Sequence, residues 1–198
     1  MSRLVFREVD RRTWPDFAAL FEGKGGPSYC WCMAWRPLTP ADRTGPAGKR
    51  RKAMEALVEE GVPVGLLAYE AGTPVGWCSI APRETYRPLG GPESPGERVW
   101  SIACFYIPRE RRGEGIGEKL LIAAIAHAKR KGATVIEAYP VDPDSPSYRF
   151  MGFVDLFSRN GFEEVGRAGS RRHVMRLTPE TWTHSGGEAP VTAREKER

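Results

Sequence analysis

The nine residues Val99-Trp-Ser-Ile-Ala-Cys-Phe-Tyr-Ile107 are apolar or aromatic except for one serine, and Pro108 follows them directly. A run of that length without alternation fits a strand covered on both faces, the setting of a strand in the middle of a sheet. Glycines at 113, 115 and 117 open the next segment. Residues 115–131 then read as a helix. Leu121, Ala124, Ile125 and Ala128 share one stripe, Lys129-Arg-Lys131 places positive charge in the last turn, and Gly132 is the stop. Thr134-Val-Ile-Glu-Ala-Tyr139 is the next strand. Strand, helix and strand of these lengths make a βαβ unit, whose strands lie parallel with a right-handed crossover. The 198 residues are enough for one domain and short for two. That unit is therefore the expected centre of a single fold.

The other segments surround it. Residues 4–9 predict a first strand, and Thr13-Trp-Pro-Asp16 has the pattern of a capping box opening a helix that runs to about residue 22. Residues 23–46, rich in Gly, Pro and aromatics, predict a long loop of the kind usually kept for function. A second helix is expected at 49–60. Residues 64–70 and 74–80 predict a hairpin turning through Ala71-Gly72-Thr73. A second long loop follows at 82–96. A short helix at 154–159 and strands at 162–166 and 172–177 complete a domain of residues 1–178. The polar residues 179–198 predict a disordered tail.

Composition narrows the class. Apolar residues at 40% and charged residues at 28% fit a soluble globular chain. The longest greasy run, residues 120–126, falls far short of the roughly 20 residues that span a bilayer, and the N-terminus lacks an apolar secretion segment, so a cytoplasmic protein without a membrane partner is expected. Cys30, Cys32, Cys78 and Cys104 are too sparse for a disulfide framework. Cys30-x-Cys32 alone offers too few ligands for a structural zinc, so no metal is expected. The net charge of +5 is spread along the chain, and the run Lys49-Arg-Arg-Lys52 sits in a predicted helix as a solvated face. A nucleic-acid partner is not expected.

The turn Arg112-Gly-Glu-Gly-Ile-Gly117 lies between the buried strand and the strongest helix. The first amides of a helix have no internal partners, and the helix dipole adds partial positive charge there. Glycines let the backbone approach phosphate oxygens, and Arg109, Arg111 and Arg112 add charge at the rim. No Gly-Lys-Ser/Thr follows, as a nucleoside triphosphate loop requires, and no strand-end acid stands about 20 residues on to hold a dinucleotide ribose.

Arg112-x-x-Gly115-x-Gly117 after a strand resembles the acetyl-CoA motif of the GNAT family of N-acetyltransferases, Arg/Gln-x-x-Gly-x-Gly/Ala, and Phe157-Ser-Arg-Asn-Gly-Phe162 is similar to its later Tyr-x-x-x-Gly-Phe segment. The resemblance spans residues 2–178. It implies an α/β (α+β) fold with a mixed, mostly antiparallel central sheet, a splayed parallel strand pair and flanking helices. It also implies acetyl-CoA as co-substrate and direct transfer of the acetyl group from thioester to amine. Backbone groups of Phe105, Tyr106 and Ile107 would pair with the pantetheine arm. Amides of Arg112, Gly113, Glu114, Gly115, Ile116 and Gly117 would hold the pyrophosphate. Two family positions differ: Phe157 replaces the Tyr that protonates the departing thiolate, and Pro140-Val-Asp-Pro-Asp-Ser-Pro146 replaces an Asn after the second strand of the pair.

Direct transfer needs a neutral amine, so a base or water chain must take its proton. Glu137, on the strand beside the gap, and Cys104, near the cofactor end of the central strand, are the catalytic candidates. The plain alternatives are an exposed strand position for Glu137 and a small buried hydrophobe for Cys104. Ser158 or Tyr139 is an alternative proton donor. Tyr29, Trp31 and Trp35 crowd the first long loop, and with Trp77 they could clamp an amine by cation–π contact or merely cover one end of the core. The preferred acceptor is a small-molecule primary amine. A protein or peptide amine and a non-catalytic CoA-binding module, the latter suggested by Phe157, stay open, as do monomer and homodimer.

Overall fold

The computed structural model describes residues 3–40 and 45–183. Seven strands form one sheet: β1 (Leu4–Glu8), β2 (Leu66–Glu70), β3 (Thr73–Pro82), β4 (Val99–Tyr106), β5 (Val135–Ala138), β6 (Glu163–Ala168) and β7 (Arg172–Leu177). Their order is β1-β2-β3-β4-β5-β7-β6. All neighbours are antiparallel except β4 and β5. The helices are α1 (Trp14–Glu22), α2 (Ala47–Glu59), α3 (Ile116–Arg130) and α4 (Val154–Ser158). Most of the polar tail expected from residue 179 lies outside the described residues.

Local chemistry explains most elements. The β2–β3 turn takes positive φ at Ala71 (47°) and Gly72 (82°), the geometry whose twist matches a tight hairpin. The capping box is a correction. Thr13 makes no side-chain cap. Its hydroxyl accepts from the Asp10 amide and donates to the Glu8 carbonyl, while Asp16 accepts the Tyr69 hydroxyl at 2.8 Å. Both side chains tie α1 to the sheet rather than satisfying the helix's own amides.

Two large cores sandwich the sheet, beside a third, smaller cluster that includes Tyr86, Ala103, Tyr139 and Met151. On one face, Trp100, Ile102, Phe105 and Ile107 pack with α3 and Phe157 of α4. On the other, Cys104 and Tyr106 join α1, Met54 and Val58 of α2, Trp31 and Trp77. Alternation along β4 therefore breaks between Ile102 and Cys104. The register shows why: Ser79 pairs with Cys104 and Ile80 with Ile102, leaving Ala103 as a β-bulge. Pairing with β5 ends at the same point, at Ile102 and Ala138. The chain after β5 turns away, and Val141 bridges Phe153 and Arg172 instead.

Candidate active site

Beyond Ile102 no strand of the described residues pairs with the β5-side edge of β4, and a cavity of about 680 Å³ opens there. Phe105, Tyr106, Ile107 and Arg112 line it from the cofactor side expected from sequence. Pro108 and a short 3-10 turn, Arg109–Arg111, lead from β4 into the glycine turn. Gly113 and Gly115 hold φ of +86° and +74°, and a Cβ on either would stand in open space. The left-handed Gly115 is the N-cap of α3. Backbone amides at the start of that helix are thus uncovered by side chains, as phosphate binding requires. The turn is braced from behind. Arg111 binds both carboxylate oxygens of Glu114 at 2.7–3.0 Å and reaches Glu70 at 2.7 Å, so its charge is spent within the protein. Arg112 donates to the Ile107 carbonyl at 3.2 Å and keeps its place on the lining. The residues present fit an extended ligand with a pyrophosphate at the helix start and an arm along β4.

The opposite wall comes from the first long loop. Tyr29, Cys30, Cys32, Ala34 and Trp35 line the cavity with Cys104. The loop is held by buried Arg36, which donates to Thr85 Oγ1 at 2.6 Å and the Pro63 carbonyl at 3.0 Å while lying 3.9 Å from the centre of the Tyr86 ring. The Arg87 amide and guanidinium bind the carbonyls of Trp35 and Ala34. Trp31 and Cys32 both adopt positive φ, 49° and 48°. Trp31 stacks on Phe21 in the core, while Cys32 stays on the cavity, with its Sγ 3.2 Å from that of Cys104.

Two of the four expected aromatic contacts therefore need correction. Tyr29 and Trp35 reach the cavity, whereas Trp31 and Trp77 are core residues beneath α1. Aromatic composition could not separate these roles, because a ring in a loop serves either equally well. Cys104 is buried yet contributes to the lining.

Glu137 is not an exposed strand residue. It is completely enclosed, opposite Ser101, and does not line this cavity. Arg176 Nε donates to one oxygen at 2.7 Å, and Tyr139 Oη and, at 3.5 Å, Arg83 donate to the other. Arg176 also holds Ser94 Oγ at 2.6 Å and the Pro92 carbonyl at 3.2 Å, fastening the second long loop to the sheet. Gly91 lies so close that a Cβ there would come 2.1 Å from a Glu137 oxygen. Burial is the first cause of the rise in the Tyr139 phenol, followed by the Glu137 charge. Phe157 is likewise enclosed, edge-on to Phe105 and Phe162, and off the lining.

Of the three thiols on the cavity, the sequence singled out Cys104 but not Cys30 or Cys32. Cys30 accepts the Cys32 amide at 3.4 Å. Hydrogen bonding from the Cys32 thiol lowers Cys30 to about 7 against the opposing effect of burial, with help from the charge of Arg50. Cys32 is pushed well up, because its thiol is engaged by Cys104 and Cys30 and is buried. The Cys-x-Cys spacing was a signal, but Cys104 lies 72 residues away.

Residues 29–153 match the sequence model of the acetyltransferase (GNAT) family. Curated protein sequences give no match. Solved structures with a similar fold include an N-acetyltransferase from Staphylococcus aureus Mu50, with 16% identity and a TM-score of 0.54 over 90% of this chain and 99% of that one. The yncA protein from Salmonella typhimurium, solved with its cofactor acetyl-CoA, has 24% identity and a TM-score of 0.53 over 94% and 98%. The ribosomal-protein-S5-alanine acetyltransferase from Vibrio fischeri has 12% identity and a TM-score of 0.57 over 93% and 97%. At these identities the likeness is one of fold.

Proposed function

Because this chain belongs to the GNAT family of acetyltransferases and so uses acetyl-CoA, we propose that it transfers the acetyl group to the primary amine of a small molecule by direct attack in a ternary complex. The observation that carries this reading is the cavity at the free edge of β4, which reaches Arg112, at the start of the glycine turn, at one end and the Tyr29–Trp35 wall at the other. Amides of residues 112–117 hold the pyrophosphate, and the edge of β4 from Phe105 to Ile107 pairs with the pantetheine arm. A β4 amide beyond the bulge donates to the oxyanion that forms as the amine attacks. The amine enters on the Cys104 face, where Tyr29 and Trp35 supply aromatic surface.

A small acceptor is supported by the character of the lining. Among the described residues it carries Arg112, Arg149, thiols and aromatics but no carboxylate to receive a peptide ammonium. In this reading Glu137 is part of the frame, where it neutralises Arg176 beneath the second loop. Thermal shift with acetyl-CoA, followed by thiol titration of released CoA against matched panels of small amines and N-terminal peptides, tests the proposal. Stabilisation together with release driven by small amines is expected. Release with peptides alone would replace the acceptor class, and stabilisation without release would indicate a binding module.

A further inference from the structure

Glu137 is enclosed, and among the described residues neither a carboxylate nor an imidazole lines the cavity. Three thiols line it instead, forming a chain from the strand to the outer wall. Cys104 stands directly after the bulge, on the face away from α3. Cys32 Sγ touches it at 3.2 Å, and Cys30 Sγ accepts the Cys32 amide at 3.4 Å. We propose that Cys30, as its thiolate, is the general base that takes the amine proton during acetyl transfer and returns it to the departing CoA sulfur. The inference rests on the acetyl-transfer reading above.

Geometry distinguishes the three sulfurs. Cys32 and Cys104 are in mutual contact, and Cys32 is held protonated, whereas Cys30 Sγ accepts the Cys32 amide at 3.4 Å and, as a thiol, donates to the Pro27 carbonyl at 3.5 Å. Cys30 belongs to the more open part of the loop beside Tyr29, which is 72% exposed. Its other charged or titratable surroundings are Arg50 on α2, Cys104 on β4, and Arg112 and Arg149 on the same cavity. Hydrogen bonding from Cys32 first, and then the charge of Arg50, favour a thiolate there and, against the opposing effect of burial, lower it to about 7. Tyr29 is raised, chiefly by the charge of Cys30. Consecutive positive φ at Trp31 and Cys32 is an uncommon conformation for side-chain-bearing residues, and it turns Trp31 inward while both cysteines keep to the cavity.

The step balances. The amine nitrogen bonds to the acetyl carbon and gives one proton to Cys30 Sγ. The carbon–sulfur bond of the thioester breaks with its electron pair on the CoA sulfur, which takes that proton. Cys30 ends as the thiolate, and no separate acid is required from position 157. A base with a pKa near working pH combines the correct ionisation with useful proton affinity.

The test compares wild type with Cys30→Ala and Cys30→Ser, using benzylamine and the weakly basic 2,2,2-trifluoroethylamine as acceptors. Iodoacetamide alkylation of Cys30, followed by peptide mass spectrometry across pH, reads its ionisation without reference to activity, and a midpoint near 7 is expected. Both variants should keep the thermal shift given by acetyl-CoA and lose about 100-fold in kcat with benzylamine, within the range for a lost general base. The deficit should shrink severalfold with trifluoroethylamine, whose proton needs less help to leave. The acidic limb near 7 in kcat should disappear, while any limb from the amine itself remains. Full kcat with an unchanged limb in both variants overturns the assignment. So does isotope exchange between CoA and acetyl-CoA without amine that Cys30→Ala abolishes, since that would make Cys30 a nucleophile. If wild type shows neither acetyl-CoA stabilisation nor turnover, the acetyl-transfer reading itself fails.

Discussion

The two ends of the cavity are built on different principles. At the proposed cofactor end the groups offered are backbone amides, exposed by Gly113 and Gly115 and braced from behind by the Arg111–Glu114–Glu70 ion pairs. At the proposed acceptor end they are side chains, with Cys30, Cys32 and Trp35 from one loop meeting Cys104 from β4. A phosphate-bearing ligand common to a whole family is served by backbone geometry, which tolerates change in side chains. An acceptor particular to one enzyme is served by side chains, which can vary without disturbing the sheet.

Substitutions at each end can break or sharpen this contrast. The largest effect is expected from Glu137→Ala, which belongs to neither end. It leaves Arg176 facing a buried vacancy and should cost about 3–5 kcal/mol of stability by chemical denaturation. An intact variant that lost only turnover would instead return Glu137 to the chemistry. Gly115→Asp comes next: a carboxylate at the helix start should weaken acetyl-CoA binding about 100-fold, or ~2.7 kcal/mol by calorimetry. Unchanged affinity would show that the glycine turn is only a connector.

Phe157→Tyr tests whether the missing family hydroxyl matters. The ring is enclosed and off the lining, so the added oxygen should cost about 1–3 kcal/mol in thermal stability and give no gain in kcat. A faster enzyme would show that the thiolate does need a donor there. The effect smallest at neutral pH concerns the far end of α3. Burial lowers His127 to about 4, against the favourable charge of Glu8. The unfolded chain therefore binds a proton that the folded one refuses between about pH 6.5 and 4, and stability should fall through that window by up to ~1.4 kcal/mol per pH unit. His127→Leu should flatten this slope in denaturation curves across pH, leaving both ends of the cavity unaffected.

The sequence by itself determined the central βαβ unit, the hairpin at Ala71-Gly72 and the glycine turn. Each follows from short-range rules: apolar runs, helical stripes, and glycines where φ must be positive. Only the tertiary structure decided the bulge at Ala103, the enclosure of Glu137, the inward turn of Trp31 and the meeting of Cys32 with Cys104. A side chain's burial and partners depend on what the rest of the chain lays over it. The notch where β4 and β5 part, and the wall that faces it, are products of packing between segments far apart in sequence.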